Sequence, residues 1–351
     1  MKSIYLVRYG SSDQAFEIRE EEDPFPREGE VTLRVEASGL NFADVLARLG
    51  LYQDAPKIPC VLGYEVVGRI DRVGSGVERV RAGDRVTAFT RFGGYASHVV
   101  VDSRAVVSIP EDMDAGVAAA LATQYCTAWY AAEEMVRLHK GDHVLIQAAA
   151  GGVGMALVQI AKRRGCIIFG TAGSKSKLEV LEEMGVDHPI NYRDNDFAAE
   201  INKICGDQGL DVVFESLGGK MFKKSLDLLG SGGRIVTLGV AQIVGKRGNI
   251  FRSLKTVLGF GLFHPVRFLL KSQSMIGVNM LRIADHHPEI LQRCQKNVMD
   301  LARQGELSPK VGGIFPAEQI SQAHEFLGMR KSIGKVILNA YPNCLNTVVK
   351  M

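Results

Sequence analysis

The apolar positions of the first 110 residues fall in short alternating runs. EVTLRVEASG (30–39) and RVTAF (85–89) place hydrophobic and polar residues by turns, with Gly and Pro between the runs. That alternation predicts strands with one buried face. From about residue 125 the pattern changes: HVLIQA (143–148), IIFGTA (167–172), DVVFESL (211–217) and RIVTLG (234–239) are compact apolar runs. Strands covered on both faces read this way. Stretches of helical character separate them: GMALVQIAKRRG, SKLEVLEEMG and KMFKKSLDLLG. Strand and helix in alternation predict βαβ units and a doubly wound parallel sheet. Beyond 280, HPEILQRCQKNVMDLARQGEL predicts a long helix and GKVILNA (334–340) a closing strand. The expected class is α/β, with a dinucleotide-binding domain (125–280) inserted between two parts (1–124 and 281–351) of a mostly β domain.

Composition narrows the function only by exclusion. With 46% hydrophobic and 23% charged residues, the chain is ordinary globular protein and not a disordered one. A net charge of +3 is too small to argue for nucleic acid, and none is expected as a partner. The N-terminus, MKSIYLVRYGSSDQ, has too short an apolar run for a signal peptide, and no stretch approaches the ~18 apolar residues of a membrane span. Cys60, Cys126, Cys166, Cys205, Cys294 and Cys344 form no C-x-x-C pair. Free thiols in a reducing cytoplasm are expected, and no structural zinc lobe.

The chemistry begins after HVLIQA. Ala149-Ala150-Gly151-Gly152-Val153-Gly154 has the G-x-G-x-x-G spacing, with Ala149 in the first place. Gly151 lets the backbone approach a pyrophosphate, Gly154 lets helix pack on strand, and the helix N-terminus offers N–H groups to phosphate. Its position between a strand and a helix is the context that makes the motif specific. An NAD-binding domain would place an acid at the end of the second strand, for the ribose 2′-OH. Here the chain reads Gly170-Thr171-Ala172-Gly173-Ser174-Lys175-Ser176-Lys177, and the first acid is Glu179. Cations and hydroxyls suit a 2′-phosphate, which a carboxylate would repel, so NADPH is the expected cofactor.

Taken together, the motifs resemble the zinc-free quinone oxidoreductase and zeta-crystallin group of the medium-chain dehydrogenases/reductases. The carriers are SGLNFAD (38–44), RLGLY (48–52), GYEVVG (63–68), AGDRV (82–86), GGYA (93–96), the glycine turn, GTA (170–172), INY (190–192) and GKV (334–336). GVAQIVGKRGN (239–249), MGVDHPINY (184–192) and KSIGKVIL (331–338) resemble the vesicle amine transport protein-like branch. The resemblance implies a GroES-like catalytic domain around a Rossmann domain. It also implies an enzyme without metal: where zinc alcohol dehydrogenases of the superfamily carry Cys and Gly-His-Glu, this chain has Ser38 and Gly63-Tyr64-Glu65. Glu65 alone cannot hold zinc.

Carried over by position, the resemblance implies that Asn41 and Thr127 lie near the nicotinamide, with Phe42, Asp44 and Tyr130. Gly151, Gly152 and Val153 would contact the diphosphate, and Gly173, Ser174, Lys177 and Tyr192 the 2′-phosphate and adenosine. Ser216, Leu217, Leu238, Gly239, Val240 and Ala241 would line the rest of the cofactor site. Asn41, Tyr52 and Tyr64 are the catalytic candidates. A phenol of pKa near ~10 is a poor acid at neutral pH but can orient or stabilise an enolate oxygen, and bulk water could supply the proton instead. Read without the resemblance, Asn41 could be a turn residue, Asp44 a helix cap and Tyr192 a core tyrosine.

The stretch 228–284 contains no Asp or Glu but holds Arg234, Lys246, Arg247, Arg252, Lys255, Arg267, Lys271 and Arg282, among Phe251, Phe260, Phe263 and Phe268. It could be a solvated basic face, a peripheral membrane contact, a lid or a subunit contact. Ser274–Asn279 reads as the sixth strand of the nucleotide domain, which in the resembling family pairs across a two-fold axis, so a homodimer is expected. The leading expectation is hydride transfer from NADPH to a small hydrophobic quinone or α,β-unsaturated carbonyl. The alternatives are an enoyl-thioester reductase and an NADPH-binding protein of little catalysis acting through membrane or protein contacts.

Overall fold

The computed structural model describes residues 1–239 and 265–339. Strands before residue 110 are β1 (Lys2–Leu6), β2 (Phe16–Glu20), β3 (Glu30–Leu40), β4 (Cys60–Val61), β5 (Glu65–Val73), β6 (Arg85–Phe89), β7 (His98–Asp102) and β8 (Val106–Ser108). The middle of the chain forms β9 (His143–Ile146), β10 (Ile167–Ala172), β11 (His188–Asn191), β12 (Leu210–Glu215), β13 (Leu229–Thr237) and β14 (Ser274–Gly277). The last two are β15 (Val311–Pro316) and β16 (Lys335–Asn339). They fall into two units. One comprises Met1–Cys126, Leu281–Arg303 and Ser308–Met351; the other comprises Thr127–Met280 and Gln304–Leu307.

In the first unit, β15-β16-β3-β5-β6-β8 form one sheet, with β7 also paired to β3, and β2-β1-β4 form a smaller one. The alternation read in EVTLRVEASG has the expected outcome: Val31, Leu33 and Val35 point into a core with Val66, Ile70, Val86 and Val99. Each such side chain contributes roughly 1.5–3 kcal/mol through burial. Ile4, Leu6, Leu40, Ala47, Tyr95, Ala323 and Val336 form a second core. β16 docks antiparallel on β3, pairing Leu338 with Ser38 and Val336 with Leu40. That pairing brings the end of the chain onto the strand that leads to Asn41.

The second unit is a parallel sheet of order β11-β10-β9-β12-β13-β14. Val144, Leu145 and Ile146 are consecutive and all wholly buried, so β9 is covered on both faces. Strand order reverses at β9, with β10 on one side and β12 on the other. A doubly wound sheet opens a ligand crevice at the carboxyl ends of its strands at such a reversal. The helix Gly152–Arg164 follows β9 and ends at Gly165 in the left-handed conformation, with Lys162, Arg163 and Arg164 favourably placed in its last turn.

Two local differences have physical causes. β13 begins at Leu229, ahead of the apolar run RIVTLG, because glycines 230 and 233 let backbone approach backbone where side chains could not. A Cβ at Gly209 would stand 2.6 Å from the Gly230 nitrogen. Residues Ala115–Met135 form a helical segment, with π-type turns at Leu121–Tyr125 and Tyr130–Met135, that the apolar pattern left unassigned.

Candidate functional site

In the parallel unit the chain turns sharply after β9. Ala148 adopts the left-handed conformation at φ 53°, unusual for a residue with a side chain. Thr171 of β10 holds it there: its hydroxyl donates to Gln147 Oε1 at 2.6 Å and accepts the Ala148 N–H at 3.2 Å, and its carbonyl accepts the Ala149 N–H at 2.9 Å. Gly154 has no room for a side chain, since a Cβ would collide with the Ala148 carbonyl and stand 2.7 Å from Ala149 Cα. Gly151 caps the helix in an extended conformation. The first N–H groups of a helix have no intrahelical acceptor, which leaves those of Gly152 and Val153 for an anion.

The next loop supplies the polar face. Ser174 precedes the helix Lys175–Glu183 and its hydroxyl lies 3.3 Å from that of Ser176. Tyr192 follows β11, and its N–H donates to the Ala172 carbonyl at 3.2 Å. The ring then crosses Gly173: a Cβ at that position would stand 2.5 Å from the Tyr192 hydroxyl and 3.2 Å from Arg193 Nε. The structure thus brings Gly173, Ser174, Lys177 and Tyr192 to neighbouring carboxyl ends of the sheet. It adds Arg193, which the sequence reading passed over.

Ser216, Leu217, Leu238 and Gly239 share the carboxyl ends of β12 and β13. Glu215 organises them. Its buried carboxylate accepts N–H groups from Leu217 (2.9 Å) and Gly218 (2.9 Å). Its own carbonyl accepts the Leu238 N–H at 2.8 Å. Burial pushes the Glu215 carboxyl up to about 7 against those two hydrogen bonds. Val240 and Ala241 lie outside the described residues, as do Lys246, Arg247, Arg252, Lys255 and Cys344. Thr127 sits in the helix Cys126–Trp129, and Tyr130 is buried in the turn that packs on the helix Gly152–Arg164.

In the other unit Asn41 caps the helix Phe42–Arg48. Its side chain is fixed on both ends. The amide nitrogen donates to Glu65 (2.7 and 3.0 Å), and the amide oxygen accepts from Lys335 Nζ at 2.9 Å. Asp44 is wholly buried, accepting the Asn41 N–H at 2.8 Å and the Gly63 N–H at 3.2 Å. Burial pushes its carboxyl up to about 7. It acts as the cap and as a brace for the turn before Tyr64. Phe42, half-buried, opens the same helix.

Tyr52 and Tyr64 meet edge to face at 6.3 Å, and Phe92 lies 5.3 Å beyond Tyr64. Among the described residues the buried Tyr64 hydroxyl has no partner. Burial, reinforced by Asp54, pushes Tyr52 up to about 12; burial and Asp44 push Tyr64 higher. Both phenols therefore keep their protons at neutral pH and are equipped to donate hydrogen bonds.

A zinc ion has no ligands to take here. The Ser38 hydroxyl donates to the Gly94 carbonyl at 2.5 Å, and Glu65 is satisfied by the Lys335 ammonium and the Asn41 amide. Among the described residues no three His, Cys, Asp or Glu side chains converge.

Comparisons with known proteins agree with this geometry. Residues 152–296 match the zinc-binding dehydrogenase family and residues 27–111 the alcohol dehydrogenase GroES-like domain. The chain is 36% identical to the synaptic vesicle membrane protein VAT-1 homolog of Rattus norvegicus over 341 residues, covering 96% of this chain and 84% of that one. It is 31% identical to the quinone oxidoreductase of Homo sapiens, covering 90% of each. The crystal structure of Escherichia coli quinone oxidoreductase complexed with NADPH matches with a TM-score of 0.84 at 27% identity, over 97% of this chain and 100% of that one.

Proposed function

The chain belongs to the medium-chain dehydrogenase/reductase superfamily, and within it we propose an NADPH-dependent, zinc-independent reductase of quinones or α,β-unsaturated carbonyl compounds. The observation that carries the cofactor is the loop after β10: Gly173 and Tyr192 packed together beside Ser174 and Lys177, with no acid before Glu179. That surface fits an anion on the ribose and disfavours the diol that a carboxylate would bind. Gly151, Gly152 and Val153 would hold the diphosphate, with Ser216, Leu217, Leu238 and Gly239 along the same edge. Bound NADPH supplies a hydride.

What the remaining residues can do limits the substrate. Without a Lewis acid, stabilisation of a simple alkoxide is lost. A quinone or enone spreads the developing negative charge over its conjugated system, so neutral hydrogen-bond donors suffice. Tyr52 and Tyr64 hold protons that can be directed at such an oxygen, and Asn41 is locked in one orientation by Glu65 and Lys335. No described helix is long and apolar enough to cross a membrane, and a cytoplasmic location is part of the proposal.

Steady-state NADPH oxidation with a panel of quinones, enones and enoyl thioesters tests it. Turnover of quinones or enones supports the reading. Turnover confined to enoyl thioesters replaces the substrate class. Tight NADPH binding without turnover of any of them replaces the enzyme by a nucleotide-binding protein.

A further inference from the structure

We infer that Arg193 is a specificity-determining residue for the cofactor: its guanidinium is a second cation for the adenosine 2′-phosphate, alongside Lys177. The inference rests on the NADPH reading above and adds a residue to it.

Arg193 is presented by a turn built for the purpose. β11 ends at Asn191, whose side-chain oxygen accepts the Arg193 N–H at 3.1 Å. The Asn191 carbonyl accepts the N–H of Asn195 at 3.0 Å and of Asp194 at 3.3 Å. With Tyr192 tied to the Ala172 carbonyl, the turn is stitched to the end of β10 as well as to its own strand. Tyr192 and Arg193 consequently lean on Gly173. A Cβ there would stand 2.8 Å from Tyr192 Cζ and 3.2 Å from Arg193 Nε. An exposed arginine ordinarily spreads its guanidinium into water, but this one starts against the backbone of the neighbouring loop.

The charge balance around it is one-sided. The adjacent carboxylate, Asp194, is engaged by the Asn191 amide at 2.5 Å. Among the described residues Arg193 makes no ion pair. Lys175 and Lys177 stand across the Gly173-Ser174 turn, at the start of a helix whose N-terminal dipole is itself positive. Like charges brought near one another repel, and a bound dianion relieves that repulsion. The residue type matters too: a lysine offers a point charge, whereas the planar fork of arginine matches two phosphate oxygens at once.

The test compares 2′,5′-ADP with 5′-AMP, two ligands that differ only in the 2′-phosphate, by calorimetry on wild type, Arg193→Ala, Arg193→Lys and Lys177→Ala. Wild type is expected to prefer 2′,5′-ADP. Arg193→Ala should cut that preference by roughly tenfold or more while leaving 5′-AMP affinity unchanged, as loss of a charge-assisted contact does. Arg193→Lys should restore it only in part. If Arg193→Ala keeps the full preference, or weakens both ligands equally, the inference falls and the NADPH reading stands. If wild type shows no preference, or Lys177→Ala leaves it intact along with Arg193→Ala, the NADPH reading itself falls.

Discussion

Lys335 and Glu65 form an ion pair in which neither side chain is exposed to solvent. Gly39 makes room for it, since a Cβ there would collide with the Glu65 carboxylate and Lys335 Cε. The pair lies directly behind Asn41, whose amide contacts both partners. Removing one charge from such a pair strands the other.

Lys335→Met should therefore destabilise the fold by roughly 3–5 kcal/mol, and Glu65→Gln combined with Lys335→Met should recover much of that loss. Urea unfolding monitored by fluorescence checks both. A single variant within about 0.5 kcal/mol of wild type would show that the pair bears no such strain.

None of this was visible in the linear pattern. Glu65 was legible as part of GYEVVG and as the residue beside a missing zinc ligand, and Lys335 as part of GKV in a closing strand, but neither as the partner of the other. Their meeting depends on β16 pairing with β3, a contact between distant parts of the chain that local periodicity does not encode. The nucleotide turn was legible because its determinants are local: strand, glycines and helix follow one another within a dozen residues, and steric need dictates each glycine. Gln147, Thr171 and Glu215 brace that turn and its neighbours, but as buried polar residues inside apolar runs they gave no sign of that role, Thr171 being legible only as the middle of GTA. Arg193 did leave a trace, an arginine directly after the tyrosine of INY.

Buried titratable groups should shape stability between acid and neutral pH, in opposite senses. His324 is buried against Phe16 (4.7 Å) and Tyr95 (6.0 Å), and burial, with Arg48 nearby, pulls its pKa down to about 3. The unfolded chain takes up a proton near ~6.5 that the folded chain refuses, so stability is lost as pH falls below that value, by at most about 1.4 kcal/mol per unit. Asp44 and Glu215 act in the opposite sense. Their folded pKa values of about 7 lie above the unfolded carboxylate range near ~4, so their contribution is full below that range and is lost as pH rises from there through 7. Between roughly pH 4 and 7, His324→Phe should remove a part of the slope that rises with pH, and Glu215→Gln a part that falls with pH. Urea midpoints across roughly pH 4–9 decide this, and unchanged slopes below pH 7 in both variants would refute it.

Purified protein should contain no stoichiometric zinc, and chelators should leave NADPH oxidation untouched. The residues at the expected ligand positions are engaged elsewhere: Ser38 with Gly94, and Glu65 with Lys335 and Asn41. Elemental analysis settles the matter, because one tightly held equivalent of zinc would contradict it.

The protein should form a homodimer through β14. Among the described residues that strand pairs with β13 on one side and with no strand on the other. Met275 on the strand is 54% exposed, and the nearby helix Pro265–Lys271 exposes Leu269 at 77% and Leu270 at 80%. Open backbone donors beside exposed apolar side chains invite association, and two copies paired edge to edge would satisfy both in a closed assembly. The register says which residue tests this. Val278 donates its N–H to Thr237 of β13, so by the alternation of a strand Ile276 also faces β13, while Met275 and Gly277 direct their backbone groups outward. Proline at Ile276 would break the protein's own sheet. Met275→Pro removes only an outward donor. Wild type should scatter light as a dimer at micromolar concentration, and Met275→Pro should shift toward monomer with cofactor affinity retained. A monomeric wild type would overturn the assignment of this edge as the subunit contact.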